Sequence, residues 1–203
     1  MKDKLITKTH FSGIPLLIKQ SRNICLVILI FIGMVSCKCG KYIDFEDLTI
    51  STKYNVGDVF ISNNIMIKVL PFEWGNGDWT HDGYCEVIDR GFAGSGNELW
   101  VNNVNLGFYC DKLPVRTELA FGEYGGNLNI QVNQTFKNFQ DFHDIYGQTY
   151  SGVHIAGTNG LGNDKGTLKL NGMMGLFDFM EEGKFYLVIG GQELAIDNIK
   201  LNY

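Results

Sequence analysis

Apolar and polar residues alternate with a period of two along most of the chain after Tyr42. In the stretch LNIQVN, at 128–133, every second residue is aliphatic and each residue between is Asn or Gln. The stretch ELWVNNVNLGFY, at 98–109, suggests one strand with Trp100 and Val104 on the same side. Successive side chains of a strand point to opposite faces, so the pattern predicts half-buried antiparallel strands with one dry and one solvated face.

Glycine-rich turns such as GNG, GSGN, YGGN and GNDKG separate these stretches. The chain has 25 glycines but only 3 prolines, which is typical of many short strands joined by tight turns. One stretch, TFKNFQDFHDI at 135–145, has Phe at every third position and predicts a short helix or irregular cap. We therefore predict an all-β fold, an antiparallel two-sheet sandwich of jelly-roll type, over residues 42–203.

A charge-free apolar segment covers residues 24–35. Twelve residues are fewer than the ~20 that cross a bilayer as a helix. Five cations and one acid precede the segment, and small residues close it. This layout predicts a secretory signal peptide over residues 1–36, and therefore an exported protein. A plain signal peptide without lipid attachment and an uncleaved anchor are the alternatives.

The residues Met34-Val35-Ser36-Cys37 resemble the lipobox of bacterial lipoproteins. The resemblance implies cleavage before Cys37 and fatty-acyl chains, palmitate among them, on that cysteine. Residues 37–41 would then be a lipidated N-terminus and a short tether, and two or more acyl chains hold a protein stably on a membrane. Lys38 follows the cysteine, which by resemblance to enterobacterial sorting implies the outer membrane or the cell surface.

The charge of the exported part argues against one class of partner. Residues 37–203 carry 12 Lys and Arg against 21 Asp and Glu, and no basic stripe with interleaved aromatic residues is present in the sequence. An acidic domain repels polyphosphate, so nucleic-acid binding is not expected. Export permits disulfides, and Cys85 with Cys110 is the first pairing to test, with one cysteine of the exported part left over.

Acidic residues lie in the first and the last predicted strands, which read IDFEDL and LAIDNIKL. If these strands are neighbours, oxygen ligands from both can bind one Ca²⁺. The pair of stretches resembles jelly-roll domains of the galactose-binding-like, carbohydrate-binding-module and MAM types. That resemblance implies a structural Ca²⁺ at Glu46 and Asp197, with Asp47 and Asp58 as further candidates. The alternative is that these acids only discourage pairing at strand edges.

The loop PFEWGNGDWTHDGY, at 71–84, is the richest in binding chemistry. Aromatic faces stack on the apolar faces of sugar rings, while carboxylates and amides bind hydroxyl groups. We therefore take Trp74, Trp79, His81 and Tyr84 as candidate ligand-binding residues. The alternative is that one or both Trp side chains close the end of the sandwich.

Glu123 and Glu193 lie at glycine-rich strand ends, in FGEYGGN and GGQEL. Two facing carboxylates can act as acid and base on a glycosidic bond. The alternative is that Glu193 bonds to neighbouring backbone at a β-bulge. The sequence contains no nucleophile elbow, no phosphate-binding loop and no dinucleotide fingerprint.

These observations predict a lipid-anchored binding module of the cell envelope, for glycan or for an envelope protein. The sequence leaves two other classes open. The first is an enzyme acting on polysaccharide, a hydrolase or lyase that uses Glu123, Glu193 or the loop at 71–84. The second is a structural envelope lipoprotein without catalytic activity.

Overall fold

A computed structural model describes residues 40–158 and 165–203, which leaves the predicted signal peptide and Cys37 outside the described residues. Within the described ranges the chain forms short strands and one 3-10 helix, Phe142–Ile145, and no helix there is long and apolar enough to cross a membrane. In chain order the strands are β1 (Lys41–Ile43), β2 (Lys53–Asn55), β3 (Val59–Ser62), β4 (Ile65–Leu70), β5 (Phe72–Glu73), β6 (Trp79–Thr80), β7 (Tyr84–Ile88), β8 (Glu98–Asn102), β9 (Val104–Tyr109), β10 (Arg116–Glu123), β11 (Leu128–Val132), β12 (Thr135–Phe139), β13 (Thr149–Tyr150), β14 (Val153–Thr158), β15 (Lys165–Asn171), β16 (Phe177–Asp178), β17 (Lys184–Phe185), β18 (Leu187–Gly191) and β19 (Leu194–Asn202).

Two antiparallel sheets contain most of these strands. The nine-stranded sheet has the order β13-β14-β15-β10-β19-β8-β7-β2, with β1 paired to the second half of β19. The six-stranded sheet has the order β12-β11-β18-β9-β4-β3. Both sheets contribute fully buried aliphatic and aromatic side chains to one core between them. The predicted all-β, antiparallel sandwich is therefore confirmed.

The alternation of side chains is as predicted in β11, where Leu128, Ile130 and Val132 are fully buried. The stretch 98–109 differs from the prediction, because it forms two strands in different sheets. Asn103 adopts a positive φ of 54° between β8 and β9, and the chain crosses there from one sheet to the other. Trp100 consequently lies on the outer face of the nine-stranded sheet and not beside Val104 in the core.

A second apolar cluster covers part of the outer face of the six-stranded sheet. The hairpins β5–β6 and β16–β17 supply much of it. Its members are Leu70, Phe177, Phe179, Phe185 and Val188, with Trp79, Tyr109 and Phe136 packed against them. Phe136 belongs to strand β12, and only the last Phe of the series, Phe142, lies in the 3-10 helix. The predicted helix is therefore confined to the end of the stretch 135–145.

The predicted disulfide between Cys85 and Cys110 is absent, and both residues are free, buried thiols. Cys85 lies in β7 of the nine-stranded sheet, and Cys110 follows β9 of the six-stranded sheet. The Cys110 thiol donates instead to the carbonyl oxygen of Lys112, at 2.8 Å. Burial raises the pKa of the Cys85 thiol far above its ordinary value, so this side chain is a small apolar core residue.

Candidate functional site

The loop GFAGSGN, residues 91–97, joins β7 to β8; we call it the glycine loop. It is held by Glu98, the fully buried first residue of β8. One carboxylate oxygen of Glu98 accepts from the backbone N–H of Phe92 at 2.7 Å. The other accepts from Ala93 at 2.6 Å and from Gly94 at 3.3 Å. A single charged side chain therefore satisfies three successive backbone donors and fixes the loop.

The glycine loop lies directly on β10 of the nine-stranded sheet. A Cβ atom at Gly122 would lie only 2.1 Å from the carbonyl oxygen of Phe92, so only glycine allows this approach. The hydroxyl of Tyr124, just after β10, donates to the same carbonyl at 3.2 Å. The position of Phe92 is therefore set from both sides.

Three aromatic rings meet where the loop crosses the sheet. The ring centroids of Phe92 and Tyr124 are 4.8 Å apart, those of Phe92 and Trp100 are 5.5 Å apart, and those of Trp100 and Tyr124 are 5.7 Å apart. All three side chains are half-buried. We call this group the aromatic triad; it is a partly exposed aromatic surface on a rigid sheet.

A hollow of about 320 Å³ lies beside the triad, and we call it the polar pocket. It is formed where three turns meet, those between β8 and β9, β10 and β11, and β18 and β19. Its lining residues are Asn102, Asn103, Tyr124, Gly125, Gly126, Gln192 and Glu193. Tyr124 belongs to both features, so the aromatic and polar surfaces are continuous.

Hydrogen bonds connect the three turns of the polar pocket. The backbone N–H of Asn103 donates to the carbonyl of Gly191, and that of Tyr124 to the carbonyl of Glu193, both at 2.9 Å. The side-chain oxygen of Gln192 accepts from the backbone of Asn127 at 2.5 Å. The buried Oδ1 of Asn103 has no hydrogen-bond partner within the described part of the chain. The pocket is thus preformed by hydrogen bonds between its turns.

Two of the four predicted calcium ligands lie at the glycine loop. Glu46 accepts from the backbone N–H of Asn97 at 2.9 Å, and Asp197 accepts from that of Ser95 at 3.3 Å. Asp197 is fully buried and forms no ion pair with a cation within the described ranges. Burial, with added repulsion from Glu98 and Asp44, raises its pKa to about 6.

The other two predicted ligands have different partners. Asp47 accepts from the Ser62 hydroxyl at 2.6 Å and from the backbone of Asn63 at 2.8 Å. Asp58 accepts from the backbone N–H of Asn55 at 2.7 Å. Within residues 40–158 and 165–203, no group of three His, Cys, Asp or Glu side chains is placed to hold a metal ion. Any cation at the glycine loop would therefore need backbone or water oxygens as well.

The two predicted Trp residues do not belong to the aromatic triad, and Trp79 lies on the outer face of the six-stranded sheet. Trp79 packs against Phe136 and Phe179, at centroid distances of 5.6 and 5.7 Å, as part of the second apolar cluster. Trp74 contacts Phe72 edge-on at 5.6 Å and stays half-buried. The hairpin at 71–84 thus contributes packing through one of its Trp side chains.

The remaining two predicted ligand-binding residues do not join Trp74 and Trp79. His81 is exposed between β6 and β7. Tyr84 is in β7, with the Lys53 ammonium 4.4 Å from its ring centroid. Its strand partner is Asn102, a residue of the polar pocket. Tyr84 is therefore the strand neighbour of a pocket residue but does not itself line the polar pocket.

The two candidate catalytic carboxylates point to different environments. Glu193 is exposed and lines the polar pocket. Glu123 is only 1% exposed, on the inward side of β10 with Phe121. It accepts from the backbone N–H of Phe142 at 3.2 Å. The two carboxylates do not share the pocket, so they lack the facing arrangement that acid–base cleavage of a glycoside requires.

Sequence reasoning missed the aromatic triad. Its members are at positions 92, 100 and 124, and only the pairing of β8 and β10 with β19 brings them together. The available signal was the glycine-rich loop next to a Trp, in GFAGSGNELW. No family model, curated protein sequence or solved structure matches this chain.

Proposed function

We propose that this protein is an exported, lipid-anchored binding module of the cell envelope that recognises glycan. One observation carries the proposal: three aromatic rings adjoin a preformed pocket lined by amide and carboxylate side chains. A sugar ring offers an apolar face for stacking and hydroxyl groups for hydrogen bonds. Tyr124 belongs to both surfaces, so one sugar unit can stack on the triad while its neighbour bonds within the pocket.

The same surface favours binding over catalysis. Of the described residues that line the polar pocket, Glu193 is the one carboxylate. A hydrolase with two carboxylates needs them about 5–10 Å apart across the scissile bond. Glu123 is committed to a backbone N–H inside the sandwich. A polysaccharide hydrolase or lyase, an envelope-protein ligand and a purely structural lipoprotein are the competing functions.

A panel of polysaccharides in affinity gel electrophoresis tests the proposal on residues 40–203. We expect at least one glycan to retard the protein, and Trp100→Ala to weaken that binding by about tenfold, or ~1.4 kcal/mol, through loss of the stacking surface. Trp74→Ala is the matched control, because it removes the same side chain from the hairpin at 71–84. If only Trp74→Ala lost binding, the glycan site would lie at the hairpin and not at the aromatic triad. If no glycan retarded the protein, the result would favour the competing functions: an enzyme, a protein-binding module or a structural lipoprotein.

We also propose that Ca²⁺ holds the glycine loop through Glu46 and Asp197. Both carboxylates bond to this loop, and Asp197 is a buried acid without a cation partner in the described chain. Ca²⁺ takes six to eight oxygen ligands and accepts backbone carbonyls and water among them. When bound, the ion would supply positive charge beside Asp197 and brace the loop that places Phe92.

Thermal unfolding in EDTA and then in excess Ca²⁺ tests this part. A ligand bound only by the folded state at a hundredfold excess over Kd adds about 2.7 kcal/mol of stability. We expect an upward shift in Tm that Asp197→Ala abolishes. Asp58→Ala is the control and should keep the shift, since Asp58 bonds elsewhere. An unchanged Tm in the unsubstituted protein would show that Ca²⁺ does not bind and stabilise the folded state.

The anchor is proposed from the lipobox-like residues before Cys37. Acyl chains on this cysteine would place the protein on the outer membrane or at the cell surface. Incorporation of labelled palmitate by the full chain, lost in Cys37→Ala, is the expected result. An unlabelled full-length chain would show that the segment is not a lipoprotein signal.

A further inference from the structure

An apolar patch lies on the outer face of the six-stranded sheet. Ile61 of β3 is the strand partner of Met66 of β4, and Met66 is the partner of Tyr109 of β9, so these side chains form a row across three strands. Ile61 is 63% exposed and Met66 is 37% exposed. Val59, on the same face of β3, is 53% exposed. We call these four residues the apolar patch.

The apolar patch continues a surface that is covered elsewhere. Tyr109 is half-buried because its other side packs against the second apolar cluster, beneath the two hairpins. On the far side of Tyr109, no residue of the described ranges covers Met66 and Ile61 in this way. Strand β3 is also an edge strand, and none of its residues, Val59–Ser62, is charged. Contiguous exposed apolar surface of this kind marks an interaction face.

The described chain begins beside this patch. Lys41, the first residue of β1, lines a hollow of about 390 Å³ together with Ile61, Met66 and Tyr109. Cys37 precedes Lys41 by four residues. At about 3.5 Å per residue, even a fully extended tether keeps the Cα atoms of Cys37 and Lys41 within ~14 Å. A lipid anchor on Cys37 would therefore hold a bilayer close to the apolar patch.

We propose that the apolar patch rests on the lipid surface of the membrane that carries the anchor; this inference rests on the lipidation of Cys37 in the proposed function. Val59, Ile61 and Met66 would contact acyl chains near the headgroups. Tyr109 has an apolar ring with a polar tip, which suits the membrane interface, and the Lys41 ammonium at the edge of the hollow is paired with Asp111 at 3.4 Å. Contacts that are weak alone become effective because the anchor makes them intramolecular.

This orientation has a consequence for the glycan site. The apolar patch is on the outer face of the six-stranded sheet, whereas Trp100 of the aromatic triad is on the outer face of the nine-stranded sheet. The two outer faces of a sandwich point in opposite directions. A domain that rests on its apolar patch therefore presents the aromatic triad to the medium.

Photo-crosslinking in cells tests the inference on the full chain with its leader. Benzoyl-phenylalanine is introduced in place of Ile61 or, as the control, in place of Glu193 of the polar pocket, in bacteria whose phospholipids are labelled with radioactive phosphate. Both positions are exposed, so the substitutions should leave the fold intact. We expect several-fold more phospholipid adduct from position 61 than from position 193.

Palmitate labelling of the same samples separates the two claims. A palmitate-labelled protein with no excess of phospholipid adduct at position 61 would overturn the membrane-facing patch and leave the anchor intact. A chain without palmitate would overturn both. A crosslinked product of twice the chain mass at position 61 would show that the patch is an interface between copies, which also contradicts the proposal.

Discussion

Glu123 is a residue whose surroundings oppose its charge. It ends β10 on the inward face of the sandwich, where only 1% of it is exposed. Burial is the main cause that raises its pKa from 4.5 to about 7, and the carboxylates of Asp141 and Asp144 add to the rise. The N–H of Phe142 opposes the rise by bonding to the charged form. One carboxyl therefore titrates near neutrality in the folded protein.

The first prediction concerns the pH dependence of stability. The unfolded chain loses the Glu123 proton near pH 4.5 and the folded chain near pH 7, so the folded state binds more protons between these values. The contribution of Glu123 to the free energy of unfolding is thus fully present below pH 4.5 and is lost as pH rises through 7. Urea unfolding in EDTA, at a series of pH values, measures this decline.

Glu123→Gln should flatten the decline and raise the free energy of unfolding at pH 8, by on the order of 2 kcal/mol. The amide oxygen of Gln can still accept from Phe142. Asp197, whose pKa is also raised, keeps its own share of the pH dependence in this variant. Glu193→Gln, at an exposed position, is the control and should change little. A pH profile unaltered by Glu123→Gln would refute the assignment of this carboxyl.

At the scale of elements, the glycine loop depends on Glu98. Its carboxylate accepts from three successive backbone N–H groups, beginning at Phe92. In Glu98→Gln an NH₂ group replaces one acceptor and would face a backbone donor. We predict a loss of about 1–3 kcal/mol in the free energy of unfolding, and weaker glycan binding as Phe92 moves. Urea unfolding and affinity electrophoresis measure the two effects.

Glu118→Gln is the matched control for this prediction. Glu118 pairs with Arg116 and lies near Lys169 on a partly exposed surface, so its removal should cost well under ~1 kcal/mol. Equal stability losses in the two variants would contradict the special role of Glu98. If Glu98→Gln kept its full affinity for glycan, the glycine loop would not contribute to glycan binding.

The inward-facing residues of a strand were predictable from the sequence where the strand stays within one sheet. The period of two identifies the inward residues of β11 because the strand lies in one sheet along its whole length. The same period misplaces Trp100, because the turn at Asn103 transfers the chain to the other sheet without interrupting the pattern. Local alternation specifies which side chains share a face within one strand, but carries no information on which sheet the next strand joins.

At the scale of the whole molecule, the sandwich was predictable and the covering of its faces was not. The second apolar cluster buries part of a sheet face that alternation predicts to be wet, including Asn129, which is fully buried beside Asn138. Trp79 belongs to that cover. The aromatic triad forms on the opposite outer face, from residues far apart in sequence. Both arrangements depend on long-range pairing, which composition and periodicity do not encode.

The most direct test of the binding account uses the three Trp residues of the chain. Each Trp has one indole N–H, so ¹⁵N-labelled protein, residues 40–203, gives one resolved indole signal from each of Trp74, Trp79 and Trp100. Titration with the glycan selected by affinity electrophoresis should shift the Trp100 signal and leave the other two in place. A shift at Trp74 or Trp79 with Trp100 unmoved would contradict binding at the aromatic triad.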